Sequence, residues 1–114
     1  MSCLRKPLPL FHYMIAGFGG MDVRCAEYAT FGSDELAESI IAAMENRSAC
    51  LMANHGMVVF GSDIRAALRK AETLEMLARQ YLICLSVGDP VLLNDEIANI
   101  TARYKTYGQQ KENA

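Results

Sequence analysis

The strongest constraint in this sequence is one long amphipathic run. Ile64, Leu68, Ala71, Leu74, Leu77, Ala78, Tyr81 and Leu85 keep a helical period, the pattern of an amphipathic helix. Ser62 and Asp63 precede the run and supply side-chain oxygens for its first free N–H groups, and Gly88-Asp89-Pro90 stops it. The pattern predicts a single helix with Leu74, Leu77 and Tyr81 in a core or an interface. Its apolar stripe has to be covered, and a chain of 114 residues supplies one domain at most to cover it.

The rest of the chain supplies strands and shorter helices. Ser33 ahead of Asp34 and Glu35 marks a helix start, where the helix dipole favours carboxylates. Leu36, Ile40, Ile41 and Met44 are read as its buried face, up to Asn46. Two β-compatible runs, 49–53 and 57–60, flank Asn54-His55-Gly56 and read as two strands or one bent strand. Residues 1–32 are rich in Pro and Gly and read as irregular, with one strand at 22–26. A short helix is expected after Asn94 with Ile97 and Ile100 turned inward, and the tail from Gly108 is polar. The sum is an α/β domain whose sheet is thin. A thin sheet carries the expectation that further strands come from elsewhere and that the chain is sticky or oligomeric by itself.

Charge and cysteine usage exclude several classes. The formal net charge is -2 and the Lys and Arg residues are scattered, which gives no nucleic-acid footprint. Cys3, Cys25, Cys50 and Cys84 form no CxxC pair, so the reading is reduced thiols and a cytoplasmic protein. No stretch approaches the roughly 20 apolar residues of a membrane span.

The only histidines are His12 and His55. His55 lies at a break between two apolar runs, where an imidazole projects from a bend, and both a structural and a ligand role stay open. Catalytic zinc takes three protein ligands and an open position. No Asp or Glu stands three or four residues from either histidine, so a complete zinc site within this chain is not expected.

Four segments carry a resemblance: Phe11-His12-Tyr13-Met14-Ile15-Ala16-Gly17, Cys25-Ala26-Glu27-Tyr28-Ala29-Thr30-Phe31-Gly32-Ser33, Asn54-His55-Gly56 and Lys105-Thr106-Tyr107-Gly108. In order and spacing they resemble motifs of the class II aldolase/adducin family, and of its fuculose-phosphate aldolase branch most. The resemblance implies a three-layer α/β/α domain around a largely antiparallel sheet, of which residues 1–108 are the C-terminal portion and 109–114 a polar tail. It implies homotetramers with active sites between subunits, and zinc held by three histidines. His55 resembles the third ligand; the other two, the catalytic glutamate and most phosphate-binding residues belong to the half that precedes these motifs.

Tyr13 resembles the family's proton donor, reaching the site of a neighbouring subunit, and Tyr107 resembles the C-terminal tyrosine that helps to close that site. His12 accompanies Tyr13 and is not a ligand in the pattern. The implied function is part of an aldehyde-lyase that cleaves a ketose 1-phosphate to dihydroxyacetone phosphate and an aldehyde, inactive until joined by a complementary N-terminal half. Two alternatives stay open: a non-catalytic adducin-like module or remnant, and, among enzymes, a ribulose-phosphate 4-epimerase relative.

Overall fold

A computed structural model describes residues 1–106. The centre is strand β4, Ala49–Met52, all four residues of which are buried. It pairs antiparallel with β5, Gly56–Val59, and parallel with the two-residue β3, Cys25–Ala26. The order in this sheet is therefore β3-β4-β5. A separate two-stranded ribbon joins β1, Leu8–Pro9, to β2, Asp22–Val23, antiparallel.

Alternation along β4 explains why the strand has no polar face. Ala49 and Leu51 pack with Leu74, Leu77 and Ala78 of the long helix α2, Ile64–Val87. Cys50 turns the other way, onto Ala43 and Ile40 of helix α1, Asp34–Ala43. Successive side chains of a strand point to opposite faces, so a strand covered on both sides reads as a continuous apolar run. Helix, sheet and helix thus form three layers, the expected α/β architecture.

Both helix starts are capped as their sequences dictate. The Ser33 hydroxyl accepts from the Leu36 N–H at 3.2 Å, and an Asp63 carboxylate oxygen accepts from the Ala66 N–H at 2.7 Å. Two buried faces differ from the reading of the sequence. In α1, Ile41 is 72% exposed, and Ala43 is buried beside Leu36 instead. Position 41 lies about 140° round the helix from Leu36, whereas Ile40 and Ala43 lie within about 40° of it. In α2, Ile64, Leu68 and Leu85 are exposed, and the residues buried in the core are Leu74, Leu77 and Ala78, with Tyr81 packed against them; Leu68 lies about 180° round the helix from Leu77 and about 120° from Leu74.

The first 32 residues are more ordered than a Gly- and Pro-rich sequence suggests. A 3₁₀ turn, Tyr13–Phe18, puts Ile15 and Phe18 into the core. The single strand expected at 22–26 is broken at Arg24 into β2 and β3. Arg24 turns away to donate to the Glu45 carbonyl at 2.7 Å, tying the break to the end of α1. Arg47 pairs with Asp22 at 3.0 Å and also donates to the Asp22 carbonyl at 2.9 Å. Helix α3, Ile97–Tyr104, follows a 3₁₀ turn at Asn94–Glu96, with Ile97 and Ile100 against the main core as expected. Among the described residues no helix is long and apolar enough to cross a membrane.

Candidate functional site

His55 lies at the tip of the β4–β5 hairpin. The ladder ends at the Met52–Gly56 pair, leaving a three-residue loop of Ala53, Asn54 and His55. Asn54 has φ 55°, a left-handed conformation that Asn accepts more readily than most residues. The His55 N–H donates to the Met52 carbonyl at 3.0 Å, which closes the turn. The His55 side chain is exposed, and no described residue hydrogen-bonds its ring. The imidazole is therefore presented outward, its ring hydrogen-bonded to none of the described residues. Among the described residues no three His, Cys, Asp or Glu side chains gather closely enough to hold a metal ion.

Tyr13 opens the 3₁₀ turn on a different part of the molecule. Its predecessor His12 caps that turn: the His12 Nδ1 accepts from the Met14 N–H at 3.1 Å. In that bond Nδ1 is the acceptor. The His12 and Tyr13 rings stack at 4.8 Å between centroids with 28° between planes. His12 is thus occupied by holding the turn, which gives a structural reason for its place beside the tyrosine. Tyr13 is 43% exposed and faces Tyr104 of α3, ring centroids 6.4 Å apart. With Asn99, Ile100 and Arg103 the two tyrosines line a cavity of about 220 Å³.

Tyr104 packs over Gly17, where an added Cβ would lie 3.3 Å from its ring. No sequence motif marks this partner of Tyr13, although Tyr104 continues the Ile97 and Ile100 face of α3 at the next helical offset. Tyr107 lies outside the described residues. Tyr13 and His55 have separate surroundings: His55 stands on the hairpin beside the N-terminal turn, Tyr13 against α3. A larger cavity, about 570 Å³, runs between Met1, Leu51, Met57, Leu74, Leu82 and Ile83 and is mainly apolar; it is lined by neither His55 nor Tyr13.

Cys25 and Cys50 offer little reactivity. Cys50 is fully buried, and burial, with neighbouring Cys25 adding to it, pushes its thiol up to about 11. Burial likewise raises Cys25, which Arg5 and the N-terminal charge partly offset. Nucleophilic thiol chemistry needs the opposite shift.

Comparison with known proteins places this geometry in context. The sequence pattern described as the class II aldolase and adducin N-terminal domain matches residues 1–82. The chain is 45% identical over 113 residues to a 5-methylthioribulose-1-phosphate/5-deoxyribulose-1-phosphate aldolase of Rhodospirillum rubrum, covering 98% of this chain and 51% of that protein. It is 43% identical over 114 residues to an L-fuculose phosphate aldolase of Escherichia coli, covering 98% of this chain and 53% of that protein. A solved structure of L-fuculose 1-phosphate aldolase superposes with a TM-score of 0.85 at 43% identity, covering 91% of this chain and 49% of the other. The chain spans about half the length of the curated relatives it matches.

Proposed function

The chain belongs to the class II aldolase and adducin family, and we propose that it is a portion of a zinc-dependent sugar-phosphate aldolase that cleaves a deoxyketose 1-phosphate to dihydroxyacetone phosphate and an aldehyde. The observation that carries this reading is the hairpin tip, where Asn54 in its left-handed conformation presents an exposed His55 imidazole with no protein partner among the described residues. His12, by contrast, is committed to a bond within its own turn. The relatives named for fuculose and deoxyribulose phosphates support the substrate class.

His55 fits as one imidazole donor of a tetrahedral set, and the described residues do not complete that set. The remaining donors and the base that takes the substrate proton come, in this proposal, from a complementary N-terminal half, so the chain is inactive alone. When bound, zinc supplies Lewis acidity toward a carbonyl oxygen. Tyr13 acts as the proton donor to the oxygen formed on the aldehyde, a role that suits a phenol, whose O–H can donate a proton to a developing alkoxide. Its exposure lets it reach the site of a neighbouring subunit in a homotetramer, and Tyr107 helps to close that site.

The test supplies the complementary half as a second polypeptide or a fusion and measures dihydroxyacetone phosphate release from fuculose 1-phosphate and 5-deoxyribulose 1-phosphate. His55→Ala is expected to lose zinc and activity together. Tyr13→Phe is expected to keep zinc and lose rate by about 10²- to 10⁴-fold. A Tyr13→Phe protein as fast as its parent would refute the donor role, and an His55→Ala protein with full zinc would refute the ligand.

A further inference from the structure

We propose that Arg5 is a positioning residue that fixes the direction of the His55 ring by clamping Asn54 from the N-terminal turn; this rests on the reading of His55 as a ligand. The 3₁₀ turn Ser2–Leu4 ends at Arg5, itself left-handed at φ 52°, whose N–H donates to the Ser2 carbonyl at 3.1 Å. The same carbonyl accepts from the Asn54 N–H at 3.2 Å. The Arg5 Nε donates to the Asn54 Oδ1 at 2.7 Å. Asn54 is thus gripped at main chain and side chain by one turn that lies 49 positions away in sequence. The Arg5 guanidinium is steadied in turn, 5.1 Å from the centroid of the Tyr28 ring.

The arrangement has a physical purpose at this site and none in the core, since Arg5, Tyr28 and Asn54 are all exposed. A non-glycine residue in a left-handed conformation persists where its surroundings over-determine it. Here the over-determined residue is the immediate neighbour of the proposed ligand. With Asn54 held on one side and the His55 N–H closed onto Met52 on the other, the backbone that aims the imidazole has little freedom. Bonds that orient a ligand without touching the metal typically change metal affinity by about 10- to 100-fold when removed.

Arg5→Gly is the informative variant, because glycine keeps the left-handed turn and deletes only the side chain. NMR on the full chain, uniformly isotope-labelled, reads the ring signals of His55 and the amide exchange of Asn54 and His55. The expected result is a shifted or broadened His55 ring and exchange faster by about fivefold, the loss of one ordinary hydrogen bond, with the His12 ring unmoved. Arg5→Lys, which keeps a donor and a charge, should restore part of the effect. Unchanged His55 signals in Arg5→Gly would overturn the proposal.

A second arm measures zinc affinity by chelator competition in the protein joined to its complementary half. There Arg5→Gly is expected to weaken zinc by about 10-fold or more; unchanged zinc affinity despite a loosened tip would also overturn the positioning role. If the unmutated assembly binds no zinc, the aldolase reading fails by itself, and the metal-free ring signals still decide whether Arg5 directs His55.

Discussion

Gly19 is the position where one methyl group should cost most. It closes the turn that carries Tyr13, at φ 116° and ψ −1°, and its N–H caps the turn on the Ala16 carbonyl. A Cβ there would run into the Asn46 carbonyl oxygen, closer than real Cβ contacts come, and would lie 3.3 Å from the Arg47 Cα. That opposing backbone cannot retreat. Ser48 donates to the Phe18 carbonyl at 2.8 Å just beyond it, and Arg47 is tied to Asp22 at 3.0 Å.

Gly32 is the control for this substitution: its φ is 75°, also left-handed, but a Cβ added there meets nothing within 4 Å. Gly32→Ala should therefore cost only the conformational term, about 1–2 kcal/mol. Gly19→Ala adds an overpacking term of about 1–3 kcal/mol, for a total of about 2–5 kcal/mol. With a urea m-value of about 1–3 kcal/mol/M, the two midpoints should separate by roughly 1 M, Gly19→Ala being the lower. Urea titration followed by far-UV circular dichroism measures this. Midpoints agreeing within about 0.3 M would show that the Asn46–Arg47 segment yields freely and that the contact argument is wrong.

Two further outcomes follow from burial. Leu77, at 0% exposure, should cost about 2–5 kcal/mol as Leu77→Ala, whereas Leu68→Ala, at 59% exposure on the same helix, should stay within about 0.5 kcal/mol; paired urea titrations separate them. The Cys50 thiol, raised from 9.0 to about 11 by burial and by Cys25, keeps its proton in the folded state after the unfolded chain has lost it. Stability should therefore fall as pH rises from about 9 to about 11, a decline that Cys50→Ala should flatten in thermal melts and that would be refuted by identical slopes in the two proteins.

Local signals in the sequence located the elements that depend on local chemistry. Ser33 and Asp63 announce their helices because a cap is a bond between residues three apart, and the hairpin around His55 shows as two apolar runs with a turn between them. Ile41 and Leu68 mislead because apolar residues spaced three to five apart drift round the helix, and these two lie about 140° from Leu36 and about 180° from Leu77 respectively. Strand β1 is invisible: two residues, one of them a proline, paired with Asp22–Val23 only by the ribbon's return. The candidate site divides the same way. His55 and Tyr13 stand in recognisable motifs, while Arg5's grip on Asn54 and Tyr104's approach to Tyr13 are long-range contacts that local patterns do not register.

Strand β4 separates two territories that share a backbone. Cys50 and Leu51 are joined by a peptide bond, yet one belongs with Ala26 and Ala43 and the other with Val23, Leu74 and Leu77. Thermodynamic coupling should follow the side chains rather than the chain. A double-mutant cycle across Cys50 and Leu51 should approach additivity, and one across Leu51 and Leu77, in the same cluster but remote in sequence, should not. Substitutions can then accumulate behind the sheet on the α1 side with little consequence for the α2 side, so a four-residue strand lets the two halves of this small domain vary at separate tempos.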